Sequence, residues 1–404
     1  MFANILDLPF DAILTQTLSA FFGVNAMYFA IAAIGLNVQF GYAGLLNFGQ
    51  AGFMACGAYA VGMTTHYFDI SFWWGIPIAV TYAVVFGLIM GIPTLRLRAD
   101  YLAIVTIALA EVIRLVVRSV TFKKYFNGSD GINGFADTFR RVTPFDDAKR
   151  YKLYPFDTSN GTGATVLLLV VFGVIAVLAG RVLLGRFGRE RSNRGVMWAV
   201  FAGASFLVVL VISSYVEYGG QSFKAIIVGW ILAAVFGAFV FMLMRSPWGR
   251  VLKGIREDEE AVRSLGKSVY SYKMQALIIG GVIATFSGMM LSLDRGSVQP
   301  DNYSRDVTFY VLTALVLGGA AKVSGSIVGP MLFWGILSFT DVFLNSLFKE
   351  WGNQIGIFGW KFVSNSSQVG MIVQGMIGLM LVLLMVFRPQ GLFGNRKEMA
   401  LDGR

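Results

Sequence analysis

The chain has 404 residues, of which 56% are hydrophobic and only 14% are charged. A soluble chain of this length would need a larger charged surface than this composition provides. Apolar runs of about 20 residues, long enough to cross roughly 30 Å of hydrocarbon as helix, recur along the sequence. We therefore predict an all-α polytopic membrane protein with about ten or eleven transmembrane helices.

The net charge of +10 does not indicate nucleic-acid binding. Basic residues stand beside apolar runs, which is the pattern of the positive-inside rule for cytoplasmic helix ends. One cysteine, Cys56, cannot form an internal disulfide, and one histidine, His66, cannot form a histidine-based metal site alone. We expect no cofactor or metal in this chain, a lipid bilayer around it and no nucleic-acid partner.

The N-terminal membrane half, residues 1–118, is predicted to contain spans at 13–36, 73–93 and 101–117. A glycine-dense broken helix follows the first span, with polar amides at membrane depth beside it. A buried amide must find a partner in protein or face a water-filled path, so both tight packing and a role in translocation stay open. The candidate translocation-path residues are Asn37, Gly41, Gly44, Asn47, Gln50 and Glu111.

The span at 101–117 carries charges. Asp100 is a candidate N-cap for this helix. Glu111 and Arg114 are three residues apart and lie on one helical face, where they can pair and lower the cost of insertion. We expect structural pairing near the outer end rather than direct contact with a substrate.

Residues 119–163 are polar and rich in turn residues, which predicts an extramembrane loop. We place it outside the cell, although its own basic residues argue against that side. Three apolar runs follow within residues 164–244, at 164–184, 196–215 and 225–244.

The strongly ionic segment at 245–273 cannot lie in lipid, because one charge at the bilayer centre costs about 2.5–3.5 kcal/mol. Ser246 is the expected N-cap with Pro247 at the first helical position, and Gly266 suits the C-terminal stop. Apolar residues from Val251 to Leu265 recur at spacings of three, four and seven. This pattern predicts an amphipathic helix, interrupted at Gly254, lying across the membrane face.

The C-terminal membrane half, residues 274–388, is predicted to contain spans at 274–293, 307–320, 331–344 and 369–387. Its glycine-dense piece at 317–329 corresponds to the one at 41–52, which suggests an internal inverted repeat. Alternating the spans places the 245–273 segment and the tail at 389–404 in the cytoplasm, and the N-terminus outside.

The sequence shows no recognisable motif for nucleotide binding or catalysis. The run at 261–268 resembles a phosphate-binding loop, but Ala261 replaces its first glycine and no β-strand precedes it. There is no pair of catalytic carboxylates and no histidine–cysteine cluster. Energy for uphill transport must then come from a partner ATPase or an ion gradient, and Glu111 is the one serious candidate for an ion site.

The run at 249–266, GRVLKGIREDEEAVRSLG, resembles the cytoplasmic coupling loop of branched-chain amino-acid ABC transporter permeases, the LivM-like family. Residues 35–53, 96–115, 316–329 and 387–394 carry the same resemblance in the same order. It implies a type II-like ABC importer permease fold. It also implies a coupling role for Gly249, Arg250, Arg256, Glu257, Asp258, Glu259, Glu260, Ala261 and Gly266, with the charged residues forming the docking face.

The resemblance implies that the chain works in a bacterial plasma (inner) membrane with a second homologous permease subunit. It further implies two ABC ATPase subunits, which bind ATP and Mg²⁺, and an external substrate-binding protein. Leucine, isoleucine or valine is the implied cargo, with urea or short-chain amides as the alternative. The apolar runs near 164–216 depart from the family pattern as an extra helix pair. An ion-coupled transporter and a membrane scaffold are the alternatives from other classes.

Overall fold

The part of the chain that the computed structural model describes is almost entirely helical. It comprises residues 10–68, 70–96, 99–136, 139, 150–152, 217–351, 356–357, 360–361 and parts of 370–382. The predicted runs at 164–184 and 196–215 lie outside these residues, as does the tail at 389–404. The extra helix pair, the last span as a whole and the total span count therefore stay predictions.

The helices are α1 (Phe10–Phe22), α2 (Val24–Leu36), α3 (Gln50–His66), α4 (Phe72–Thr94), α5 (Ala99–Arg118), α6 (Lys123–Phe126), α7 (Gly220–Arg245), α8 (Pro247–Glu257), α9 (Glu259–Ser264), α10 (Val269–Arg295), α11 (Arg305–Gly318) and α12 (Val323–Trp351). A π-helical turn at Asn37–Tyr42 extends α2, and 3₁₀ turns occupy Val120–Phe122, Gly128–Asp130 and Pro300–Tyr303. Three antiparallel pairs join β1 (Ile132–Asn133) to β4 (Ser297–Val298), β2 (Arg150–Lys152) to β3 (Glu217–Gly219), and β5 (Gly356–Ile357) to β6 (Trp360–Lys361).

Among the described residues, five segments are long and apolar enough to cross a membrane. They are Ile13–Tyr42, Trp73–Thr94, Ser222–Arg245, Val269–Arg295 and Val323–Ser346. Helices α3 and α11 have only 17 and 14 residues. Irregular backbone precedes α3 and follows α11, so these two are the interrupted helices that the glycine-dense pieces predict.

Helix α10 is the central element of the core and packs against α2, α3 and α4. Small residues allow the backbones to approach closely. A Cβ at Gly280 would overlap the carbonyl oxygen of Gly35, and a Cβ at Gly288 would overlap that of Met54. The helices on the outside instead expose large apolar side chains, as a lipid-facing surface requires. Trp73, Ile104 and Met242 are examples.

Two predicted helix starts are wrong. Helix α5 begins at Ala99, so Asp100 lies in its first turn and is not the N-cap. Helix α12 begins at Val323 rather than at 331 and continues through Pro330. Close packing of Gly325 and Gly329 on α11 holds this turn, since a Cβ at either would overlap α11 or the turn that follows it. This tertiary contact overrides the local preference of proline to interrupt a helix.

Candidate functional site

Within the predicted 245–273 segment, residues 246–268 form two short helices outside the predicted spans, and these residues are called the ionic segment from here on. Ser246 caps α8 by accepting a hydrogen bond from the Gly249 amide at 3.4 Å, and Pro247 is the first helical residue, as predicted. The predicted interruption at Gly254 is wrong, because α8 continues to Glu257. The break is at Asp258, whose carboxylate accepts from the amides of Glu260 at 2.9 Å and Ala261 at 3.0 Å. A side chain that bonds the backbone in this way starts a new helix.

The C-terminal stop of α9 is confirmed at Gly266, which has φ +77°. The apolar face is confirmed in part. Leu252, Ile255 and Val262 are buried, but Leu265 is 78% exposed. Because α9 ends at Ser264, the helical spacing no longer applies at Leu265.

The structure divides the nine coupling residues into an outward set and an inward set. The exposed ones are Arg250, Glu257, Asp258, Glu260, Ala261 and Gly266. Glu259 forms an ion pair with Lys273 at the start of α10. Gly249 is buried at a position where a Cβ would lie 2.5 Å from the Met244 Cα. Arg256 is half-buried and its guanidinium bonds the Gly41 carbonyl, so it is not part of the outward set, and its predicted place on the docking face stays a prediction.

Arg256 contacts the backbone that follows α2. Its Nη1 atom donates to the Gly41 carbonyl oxygen at 2.5 Å. Gly44 has φ +69°, and a Cβ there would lie 3.3 Å from the Arg256 Cγ. The Lys253 ammonium lies 5.7 Å from the centroid of the Tyr42 ring. The ionic segment is thus in direct contact with the end of α2 and with the irregular backbone that precedes the interrupted helix α3.

The buried amides join the two glycine-dense pieces. Asn37 accepts from the Ala321 amide at 2.8 Å through Oδ1 and donates to the Lys322 carbonyl at 3.1 Å through Nδ2. Ala321 has φ 63°, which is unusual for a residue with a side chain. One asparagine therefore closes the turn between α11 and α12, some 285 positions away in sequence.

The other amides hold the irregular segment that precedes α3. Asn47 donates to the Gln39 Oε1 atom at 2.8 Å and accepts from the Gly49 amide at 2.8 Å. Gln39 donates to the Leu277 carbonyl at 2.9 Å, and Gln50 donates to the Ala32 carbonyl at 3.1 Å. All of these amides are satisfied within the protein, so tight packing is confirmed. A role in lining the path stays a prediction.

Two threonines at this junction were missed by sequence reasoning. The Thr106 hydroxyl accepts from the Phe48 amide at 3.1 Å, and the Thr308 hydroxyl accepts from the Ala51 amide at 2.9 Å. They tie the start of α3 to α5 and α11. The sequence does contain an indication of both residues, because each is a threonine inside an apolar run, where a polar side chain needs a hydrogen-bond partner.

Glu111 belongs to a different cluster. It pairs with Arg114 at 2.5 Å, as predicted, and Arg114 also reaches Asp301 at 2.6 Å. Arg118 contacts the same Asp301 carboxylate at 3.2 Å. Asp301 lies in the turn between α10 and α11, whereas Asn37 bonds the turn that follows α11. Among the described contacts, no hydrogen bond or ion pair joins Glu111 to the other candidate path residues.

The described part of the chain contains no group of three or more histidine, cysteine, aspartate or glutamate residues that could hold a metal ion. The site therefore consists of an exposed ionic helix pair, an inward arginine and a set of satisfied buried amides at two interrupted helices. This arrangement suits mechanical contact with a partner rather than bond-making chemistry.

Comparison with known proteins gives the family. A family model described as the branched-chain amino acid transport system / permease component matches residues 19–386. The high-affinity branched-chain amino acid transport system permease proteins LivM of Salmonella typhimurium and of Escherichia coli K12 are each 28% identical to the chain. Each match covers 91% of this chain and 68% of the relative.

A probable branched-chain amino acid transport permease protein LivM of Methanocaldococcus jannaschii is 22% identical, over 91% of this chain and 90% of its own length. No solved structure matches the chain significantly. The family model covers well over half of the sequence, and the relatives match along nearly all of it. The chain therefore belongs to the family of permease components of branched-chain amino acid transport systems.

Proposed function

We propose that this chain is the permease subunit of an ATP-driven ABC importer that carries leucine, isoleucine or valine. The observation that carries the proposal is the contact between the ionic segment and residues 37–49, which lead from α2 into the interrupted helix α3. A permease without an ATPase site of its own needs a part that another subunit can move, and this contact supplies one. The family and the names of the relatives support the substrate class.

The exposed residues of α8 and α9 form the proposed docking face. Glu257, Asp258 and Glu260 concentrate negative charge there, with Arg250 beside them. A cleft of complementary charge on an ATPase subunit would fix the register of the two surfaces. We propose a complex of this chain, a second homologous permease, two ATPases that hold ATP and Mg²⁺, and an external substrate-binding protein.

The proposed orientation places the ionic segment in the cytoplasm and the N-terminus outside. The ion pairs of Asp301 and the β1–β4 pair then lie at the external end. The proposed path runs beside α3 and α11, because their shortened helices and glycines leave irregular backbone that only a cavity or protein can accommodate. The two glycine-dense pieces meet at Asn37, which agrees with an inverted repeat.

The test is reconstitution of the importer in liposomes that contain ATP. Uptake of labelled leucine, isoleucine and valine is compared with uptake of urea and acetamide. We expect ATP-dependent accumulation of the branched-chain amino acids alone. Preference for urea would move the assignment to an amide permease. Accumulation by this chain alone under a proton or sodium gradient would refute the ABC assignment.

A further inference from the structure

We propose that Arg256 is a positioning residue that transmits movement of α8 to residues 37–49, which comprise the π-helical end of α2 and the irregular segment before α3. This inference rests on the proposed function and assigns Arg256 a place inside the permease rather than on its docking face. In this role the outward residues of the ionic segment receive the motion, and Arg256 passes it into the membrane domain.

The geometry favours a firm connection. Gly41 lies in the last turn of the helix formed by α2 and the π-helical turn, where carbonyl groups lack intrahelical partners. The helix end carries partial negative charge, and a guanidinium there makes a charge-assisted hydrogen bond. The Arg256 Nη1 atom meets the Gly41 carbonyl at 2.5 Å. This bond thus links the permanently charged Arg256 guanidinium directly to the backbone at Gly41.

The side-chain stem of Arg256 is held as well. It lies against Gly44, whose left-handed backbone and lack of a side chain leave room for it. Beside Arg256, α8 packs through the buried Ile255 and through Leu252, which is one turn earlier on the same face. Because the Arg256 stem lies against Gly44 and the residues beside it are packed, we expect a shift of α8 to displace Gly41 rather than bend the arginine alone.

From Gly41 the displacement has a route into the membrane domain. The same π-helical turn contains Asn37, which bonds the turn between α11 and α12, and Gln39, which bonds the Leu277 carbonyl of α10. Contiguity alone does not establish coupling between two sites. The proposal therefore requires a variant in which docking survives and transmission fails.

That variant is Arg256→Gln in the complete importer reconstituted in liposomes. We expect the ATPase subunits to remain bound and ATP hydrolysis to continue, because the outward face is unchanged. The amount of leucine taken up per ATP hydrolysed should fall about 5–150-fold, which is the fold-change that typical coupling free energies between two sites produce. The matched control is Arg245→Gln, which removes an exposed arginine whose guanidinium carbon lies 3.9 Å from the centroid of the Phe241 ring on its own helix. It should leave the ratio unchanged.

A covalent replacement separates transmission from a general structural role. The Cβ atom built on Gly44 lies 3.8 Å from the Arg256 Cβ, close to the mean Cβ separation of a disulfide. In a Cys56→Ser background, the double variant Gly44→Cys/Arg256→Cys should behave like Arg256→Gln when reduced, and the single variant Gly44→Cys measures the effect of a side chain on the left-handed backbone at 44. When oxidised, the double variant should recover uptake per ATP, because the bond restores the link.

Three results would overturn the proposal. They are an unchanged ratio of uptake to ATP hydrolysis in Arg256→Gln, loss of bound ATPase in that variant, and an oxidised double variant no better coupled than the reduced one. A wild-type complex that accumulates no branched-chain amino acid would instead refute the proposed function. An active wild type with an unaffected Arg256→Gln would refute the transmission role alone.

Discussion

The cap at Asp258 gives a quantitative prediction. Replacement by alanine removes the acceptor for the amides of Glu260 and Ala261, both of which lie in the first turn of α9. Loss of an N-cap costs about 1 kcal/mol, within a range of roughly 0.5–2 kcal/mol. Helix α9 has only six residues and cannot persist as an isolated helix. The opened form of α9 should therefore become about fivefold more populated.

Hydrogen exchange measured by mass spectrometry on a peptide covering residues 259–265 reads this opening directly. Asp258→Ala should exchange about fivefold faster there, since 1.4 kcal/mol corresponds to a factor of ten. Asp258→Asn is the matched control, because asparagine caps as well as aspartate but carries no charge. Equal exchange in both variants would show that charge, not the cap, holds α9. Unchanged exchange in Asp258→Ala would refute the cap altogether.

The remaining predictions concern packing, the buried amides and docking. Gly280→Ala should destabilise the protein in detergent by more than about 1 kcal/mol, because its Cβ overlaps the Gly35 carbonyl. Gly237→Ala should leave the stability unchanged, because the nearest atom to its Cβ is 3.4 Å away. Equal melting temperatures for the Gly280→Ala and Gly237→Ala variants would contradict this prediction. Asn37→Leu removes the acceptor of the half-buried Ala321 amide, at about 1–3 kcal/mol, and should lower the melting temperature, which an unaltered value would disprove. Glu260→Lys should preserve insertion and abolish ATPase binding in pull-down, and retained binding would remove Glu260 from the docking face.

The ends of the ionic segment could be predicted because their signals are local. Ser246 followed by Pro247 starts a helix by its own chemistry, and Gly266 ends one. The choice between Gly254 and Asp258 as the break could not be made from helix propensity alone. Glycine only weakens a helix, whereas an aspartate with two free amides after it starts a new one.

The roles of individual charges were less predictable. An amphipathic pattern separates apolar from polar residues but does not show which charged side chain will bond a backbone group that is distant in sequence. The pattern therefore places Arg256 on the polar face with Arg250, although its bond to the Gly41 carbonyl holds it inward. The partners of Asn37 are likewise remote in sequence. Glu111 and Arg114 could be paired from the sequence because they are three residues apart on one helix.

The backbone at Ala321 bears on how the membrane domain can change shape. A left-handed conformation costs an alanine roughly 1–2 kcal/mol, and the turn keeps it while Asn37 accepts the Ala321 amide. The turn between α11 and α12 thus stores conformational strain, and both the Asn37 bond and the packing of Gly325 against Gly319 hold it in place. If the Asn37 bond breaks, the backbone at Ala321 can leave the left-handed conformation and release this strain. Glycine at position 321 would have no such strain to release.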